Sequence, residues 1–234
     1  MKTAILGCAV LATLLAGIAQ GKEYPQNPVL RPLTLTDGTI QIAGAYSYGK
    51  AHDDDTKAGF GANISYGITD DFQIGLEGLT YSFLKNRASG LELAVNAGIR
   101  GHYDNTNIGD SLGLGVSVFG KQVLNNDFAL TFGAGYTHWD EEHIDNKYQF
   151  NYSLGALVNI ADNVTLSANY TFTDLKDFKQ DSSNTVRVGV NYAYSKSIDM
   201  GIAFKYSDFE ETYNNFAFHE QAEKSASMYA AWRF

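Results

Sequence analysis

The chain is poor in whatever usually crosslinks or interrupts a sheet. It has one cysteine, Cys8, and three prolines, Pro25, Pro28 and Pro32, so no internal disulfide can form and nothing after residue 32 blocks backbone pairing. After Ile18 no segment approaches the ~18 to 20 consecutive apolar residues of a membrane-spanning helix. Basic residues are also scarce: 17 Lys and Arg against 26 Asp and Glu leave a net charge of −9, which argues against a nucleic-acid partner. No Gly-rich nucleotide loop or cysteine metal motif is present. What is abundant is Gly, at 23 residues, with 15 Tyr and 14 Phe. The mean hydropathy of −0.21 would suit a water-soluble protein. Strands with one face in lipid and the other in water hide their membrane character in the same average, because the two faces cancel.

At the N-terminus Lys2 precedes an uncharged apolar run from Ala4 to Ile18, followed by small residues. The run is too short for a spanning helix and reads as a secretory signal peptide over 1–19, with Gly17 and Ala19 as the small pair before the cut and Gly21 as the alternative cleavage point. Cys8 lies inside the run with almost no hydrophobic stretch ahead of it, which disfavours lipidation. Cleavage therefore removes the only cysteine. Residues 20–37, with all three prolines, form a leader, and 38–234 read as one domain.

From residue 38 onward, strand-length runs alternate with period two. Eleven such runs carry the apolar parity: Ile40 to Tyr48, Phe60 to Ile68, Phe72 to Leu76, Leu91 to Ile99, Leu112 to Val118, Phe128 to Tyr136, Tyr148 to Ile160, Val164 to Phe172, Val186 to Tyr194, Met200 to Tyr206, and Ala226 to Phe234. Thr69-Asp70-Asp71, Asn125-Asn126-Asp127, Ala161-Asp162-Asn163 and Lys196-Ser197-Ile198-Asp199 have the composition of hairpin turns. The opposite parity is Ser, Thr, Asn, Gln and Gly, and it holds every charge within a strand core: Glu77, Glu92, Arg100, Lys121, Arg187, Lys205 and Arg233. A Lys or Arg at the bilayer midplane costs ~2 to 4 kcal/mol, so this parity must face water enclosed by the sheet. A soluble sandwich would present a surface much richer in Lys and Glu. Aromatics gather toward the strand ends, among them Tyr46, Tyr66, Trp139, Tyr148, Tyr170, Tyr194 and Trp232, as at the two interfaces of a membrane.

The last run alternates out to Phe234, with Trp232, Ala230 and Met228 two, four and six places earlier. This ending resembles the C-terminal strand of Gram-negative outer-membrane β-barrels. The resemblance implies an integral protein of the outer membrane, inserted by the barrel-insertion machinery with periplasmic chaperones, in which Met228, Trp232 and Phe234 serve as the assembly signal. It implies small porin-like or OmpA-like architecture and no particular subfamily. The expected fold is all-β, an antiparallel transmembrane barrel of one domain. Strand number is even in single-chain bacterial barrels, whereas eleven runs are visible. Twelve strands follow if Val29 to Leu35 in the leader supplies the first; ten is the alternative, with one run near 72–84 or 91–103 failing to span.

A lumen walled by small polar residues has room for water. Five basic side chains against two acidic ones on its parity give an expected narrow, water-filled channel for passive diffusion of small solutes with weak anion preference, lined by Glu77, Glu92, Asn96, Arg100, Lys121, Arg187, Lys205 and Arg233. The alternative is a closed-lumen structural or surface-adhesion barrel in which these charges pair with one another. A hydrolase is a minor alternative: His138 and His143 flank Asp140-Glu141-Glu142, but no spacing is diagnostic, so no catalytic, cofactor or metal residue is assigned. The acidic segments at Asp53-Asp54-Asp55, Asp140-Glu141-Glu142, Asp174 to Asp181, and Asp208 to Glu211 read as solvated loops. They can share divalent cations with the anionic lipopolysaccharide of the outer leaflet.

Overall fold

The structure, a computed structural model, describes residues 24–50, 56–86, 88–105, 109–142, 145–178, 180–209 and 223–234. The signal segment and His52, His143 and His219 lie outside the described residues. Twelve strands form one closed antiparallel barrel: β1 Ile40–Lys50, β2 Thr56–Gly67, β3 Phe72–Gly75, β4 Gly78–Asn86, β5 Leu91–Asn105, β6 Gly109–Asn125, β7 Phe128–Glu141, β8 Lys147–Ala161, β9 Val164–Lys176, β10 Ser182–Ala193, β11 Ile198–Ser207 and β12 Lys224–Arg233. Each strand pairs with its sequence neighbour, and β1 closes on β12 with Gln41 opposite Arg233 and Ile42 opposite Trp232. Closure leaves no long strand at an exposed edge except where a neighbour falls short.

The alternation read from the sequence is the alternation of faces. Tyr46, Phe60, Ile64, Leu154, Ile202, Phe204, Met228 and Trp232 are exposed on the outer wall, while Ser65, Thr165, Ser207, Lys121 and Arg233 are buried within. Outward aromatics pack on one another across β7 and β8, Tyr136 on Phe150 and His138 on Tyr148, each pair with centroids 5.1 Å apart. Trp139 corrects the aromatic assignment: it points inward and is buried.

The strand count is twelve, but the twelfth is not the one expected. The described part of the leader contains no strand; Pro28–Leu30 is a single 3-10 turn whose start is capped by Asn27 Oδ1, accepting from the Val29 amide at 2.8 Å. The extra strand comes from the stretch 72–86, which folds into two strands joined at Leu76-Glu77, with Gly75 opposite Gly78. Across a two-residue hairpin the flanking residues share a face, so outward residues change from even (Ile74) to odd (Leu79, Tyr81, Phe83) and a single-parity reading loses β4. Glu77 is therefore a turn residue and not part of a strand wall. Gly78 has φ +107°, and a Cβ there would meet the Ala97 carbonyl oxygen at 2.1 Å, so only glycine fits this turn against β5. With four residues, β3 is much shorter than the ~9 to 11 needed to cross a bilayer.

The candidate functional site: the lumen and its two ends

The chain's last residue, the first strand's start and the short turns mark one end of the barrel, and the leader is folded across that end. Gln26 Nε2 donates to Ala193 O (2.9 Å), Asn27 Nδ2 to Asn126 O (2.8 Å), Thr34 Oγ1 to Asp70 O (2.7 Å), and the Leu35 amide to Gln73 Oε1 (2.8 Å). These partners lie on β10, the β6–β7 turn, the β2–β3 turn and β3, so one segment is tied to well-separated parts of the rim. Val29, Thr34 and Leu35 are buried by it.

Charges fix its middle. Arg31 clasps Asp199 through both guanidinium nitrogens, Nη1 to Oδ2 at 2.5 Å and Nη2 to Oδ1 at 2.8 Å. Arg233 reaches the same Asp199 Oδ2 and donates from Nε to Gln41 Oε1 at 2.9 Å. All three side chains are buried or nearly so. Tyr24 offers its ring to both guanidinium groups, 4.6 Å from Arg233 and 5.4 Å from Arg31. Burial pushes its hydroxyl pKa above the ordinary tyrosine value, against the opposing pull of Arg233 and Arg31. Lys121 Nζ donates to Arg31 O and lies 3.9 Å from Glu92, whose Oε2 accepts the Leu33 amide at 3.1 Å.

The eight residues expected along a pore thus divide into distinct groups. Glu92, Lys121 and Arg233 face inward at the plugged end, where they hold the leader. Asn96 faces inward and donates to Leu79 O (3.1 Å) and Thr80 Oγ1 (3.0 Å), bracing β5 on β4. Arg100 is the extra residue of a β-bulge in β5, donating to Ser117 Oγ at 3.4 Å beside a luminal cavity of about 350 Å³ that Asn151, Ser153 and Thr171 also line. Glu77 stands at the hairpin tip within electrostatic range of Arg100. Arg187 and Lys205 are directly opposite each other on β10 and β11.

The other end is partly roofed from within. Trp139, Leu175 and Phe209 form a buried apolar cluster with Phe178 against it, and Trp139 Nε1 donates to Gln149 Oε1 at 2.8 Å. The acidic segments there are not uniformly solvated. Glu141 is buried and lies 3.5 Å from Lys147, Glu142 Oε2 accepts the Asp110 amide (3.0 Å), and Asp208 Oδ2 accepts Asn184 Nδ2 (2.7 Å). No cluster of His, Cys, Asp and Glu suited to a metal occurs among the described residues.

Residues 8–194 match the family model of the outer membrane protein beta-barrel domain. The chain belongs to that family. It is an integral protein of the outer membrane, so the plugged end is periplasmic and the roofed end extracellular. Among solved structures it is similar to the COG4313 outer membrane channel from Pseudomonas putida F1, at 11% identity and a TM-score of 0.62, over 86% of this chain and 97% of that one. It is also similar to the NanC porin, at 10% identity and a TM-score of 0.51, over 82% and 98%. A looser likeness joins it to a loop L8 deletion mutant of OmpT, an outer membrane protein of Vibrio cholerae, at 11% identity and a TM-score of 0.48, over 84% and 98%. At these identities the likeness is one of fold. No curated protein matches the chain.

Sequence reasoning missed Tyr24, Arg31 and Asp199. Arg31 and Asp199 are 168 residues apart, so their pairing exists only after closure. A signal was nonetheless present: an arginine beside Pro32 in the leader, and an acidic residue, Asp199, on the inward parity at the start of β11.

Proposed function

We propose that the barrel is a narrow water-filled channel for passive diffusion of small solutes, with weak anion preference and an exit constricted by the leader, and that it performs no catalysis. The observation that carries the reading is the Arg187–Lys205 pair. Like charges directly across a ladder repel, and neither side chain has a carboxylate partner among the described residues, so these residues present a positive site to the lumen that a passing anion can offset. The porin and channel neighbours are consistent with this use of the fold.

Recording from the full chain refolded into planar bilayers tests it. Under a KCl gradient the reversal potential is expected on the anion side and should move toward cations in an Arg187→Glu, Lys205→Glu double variant. Deleting residues 24–36 should raise the single-channel current. The ties of the leader to strands and turns around the periplasmic rim favour a second reading, a closed structural barrel. No current above background from either the full or the shortened chain would establish that reading and sink the first.

A further inference from the structure

One stretch of the inner wall is hollowed. Gly135 of β7 stands opposite Ser117 on β6 and Asn151 on β8, and Gly133 stands opposite Phe119 and Ser153. β7 thus presents no side chain to the lumen at two successive inward positions, and the cavity of about 350 Å³ follows it as a trough, with Thr137 at the extracellular end. A side chain on either glycine would crowd the banks: a Cβ on Gly133 would lie 3.0 Å from Ser153 Oγ, and one on Gly135 3.2 Å from Ser117 Cβ. Gly133, Gly135, Asn151, Ser153 and Thr171 stay partly exposed inside the barrel, whereas Lys121 and Arg233 at the plugged end are buried. Solvent therefore has access to the trough.

One bank carries the charge. Arg100 lies flat across β6 because Gly115 gives it room: a Cβ there would meet Arg100 Nε at 2.6 Å and Cγ at 2.8 Å. The guanidinium is thereby set beside Ser117, where Nη2 donates to Ser117 Oγ over a long 3.4 Å. Glu77 acts on it only from a distance, and no carboxylate lines the trough. A guanidinium with most of its donors unused has the capacity to grip a carboxylate through two parallel hydrogen bonds.

The other bank is neutral and polar. Asn151 Oδ1 accepts from Thr173 Oγ1 at 2.8 Å, which leaves its Nδ2 to donate elsewhere. Thr171 Oγ1 is engaged with Asn169 Oδ1 at 3.0 Å, and Ser153 Oγ has no hydrogen-bond partner among the described residues. Between the banks, the glycine backbone and Phe119 make a floor and side wall suited to C–H groups.

We propose that this trough binds a small hydroxylated monocarboxylate of the sugar-acid class, with its carboxylate on the Arg100 guanidinium and its hydroxyls on Ser153 Oγ and Asn151 Nδ2. One guanidinium suits one carboxylate. The volume lies near the lower end of the ~300 to 1,000 Å³ of small-molecule sites, which fits a single sugar ring and not an oligosaccharide. The site goes beyond the channel reading: it needs a wet lumen but no net current, and it uses neither Arg187 nor Lys205.

Isothermal titration of the full chain, refolded into detergent micelles at low ionic strength, tests this with glucuronate, glucose and acetate as probes. Glucuronate is expected to saturate one site at least about tenfold more tightly than glucose, which lacks the carboxylate, or acetate, which lacks the hydroxyls. Arg100→Gln should weaken glucuronate about tenfold or more. Arg100→Lys should recover part of the loss, since it restores charge without the two-pronged geometry, and it serves alone if the glutamine variant does not fold. Folding is followed by heat-dependent gel mobility. Ser153→Ala should weaken glucuronate severalfold and leave acetate unchanged. Absence of saturable glucuronate binding overturns the proposal, as does equal affinity for glucuronate and either other probe, or indifference to Arg100 substitution. Loss of binding only in the Arg187→Glu, Lys205→Glu variant puts the ligand on another wall and overturns it too. A chain that conducts ions but binds no glucuronate sinks this site and leaves the channel; one that binds glucuronate without conducting does the reverse.

Discussion

At the scale of single residues, the periplasmic plug depends on one carboxylate. Asp199 neutralises two buried guanidinium groups, one from the leader and one from the last strand. Removing one partner of a buried pair costs about 3 to 5 kcal/mol, because the remaining charge is left uncompensated. Asp199→Asn keeps the shape and removes the charge, so the leader is expected to detach while the barrel stays closed. Limited proteolysis should then cut between Tyr24 and Leu35 in the folded variant and spare the same segment in the parent chain. Glu92 and Lys121 illustrate what inward parity leaves undetermined. Their facing was legible from alternation, but alternation does not say whether an inward charge meets water or a second segment, and here both meet the leader.

Among elements, the β3–β4 hairpin departs most from a uniform barrel, and its position rests on backbone contact. Gly78 and Gly98 approach so closely that a Cβ on Gly98 would lie 2.3 Å from Glu77 O. Gly78→Val adds both a clash with Ala97 and a strained positive φ, and should destabilise the hairpin by about 1 to 3 kcal/mol or more. Hydrogen exchange is the appropriate measurement: faster exchange confined to β4 and the neighbouring edge of β5 is expected, with β7 to β9 unchanged. The hairpin was hard to read because its turn is short. Leu76 looks like the outward end of one strand and Leu79 like a break in parity, when both are outward residues on either side of a tight reversal. The leader posed the opposite problem: Val29 to Leu35 has the apolar content of a strand, but Pro32 cannot donate to a ladder, and the segment satisfies its amides on side chains such as Gln73 and Glu92 instead.

For the whole molecule, closure joins the first strand to the last. The Ile40 amide donates to Phe234 O at 3.1 Å and the Phe234 amide to Ile40 O at 2.9 Å, so the final residue completes the seam. Deleting Phe234 should slow insertion into the outer membrane and lower the yield of heat-modifiable barrel, while leaving the fold of what does assemble unchanged; pulse-chase assembly kinetics check this. The sequence by itself determined the barrel architecture, the compartment and the facing of most strand residues outside the β3–β4 hairpin, because a bilayer imposes period-two alternation along each strand and each strand can be read alone. Only the tertiary structure decided what fills the periplasmic mouth, that Trp139 lies inside, and that the wall is notched between β2 and β5. Those depend on Arg31 meeting Asp199 and on a hairpin ending below its neighbours, relations between distant segments that no local pattern encodes.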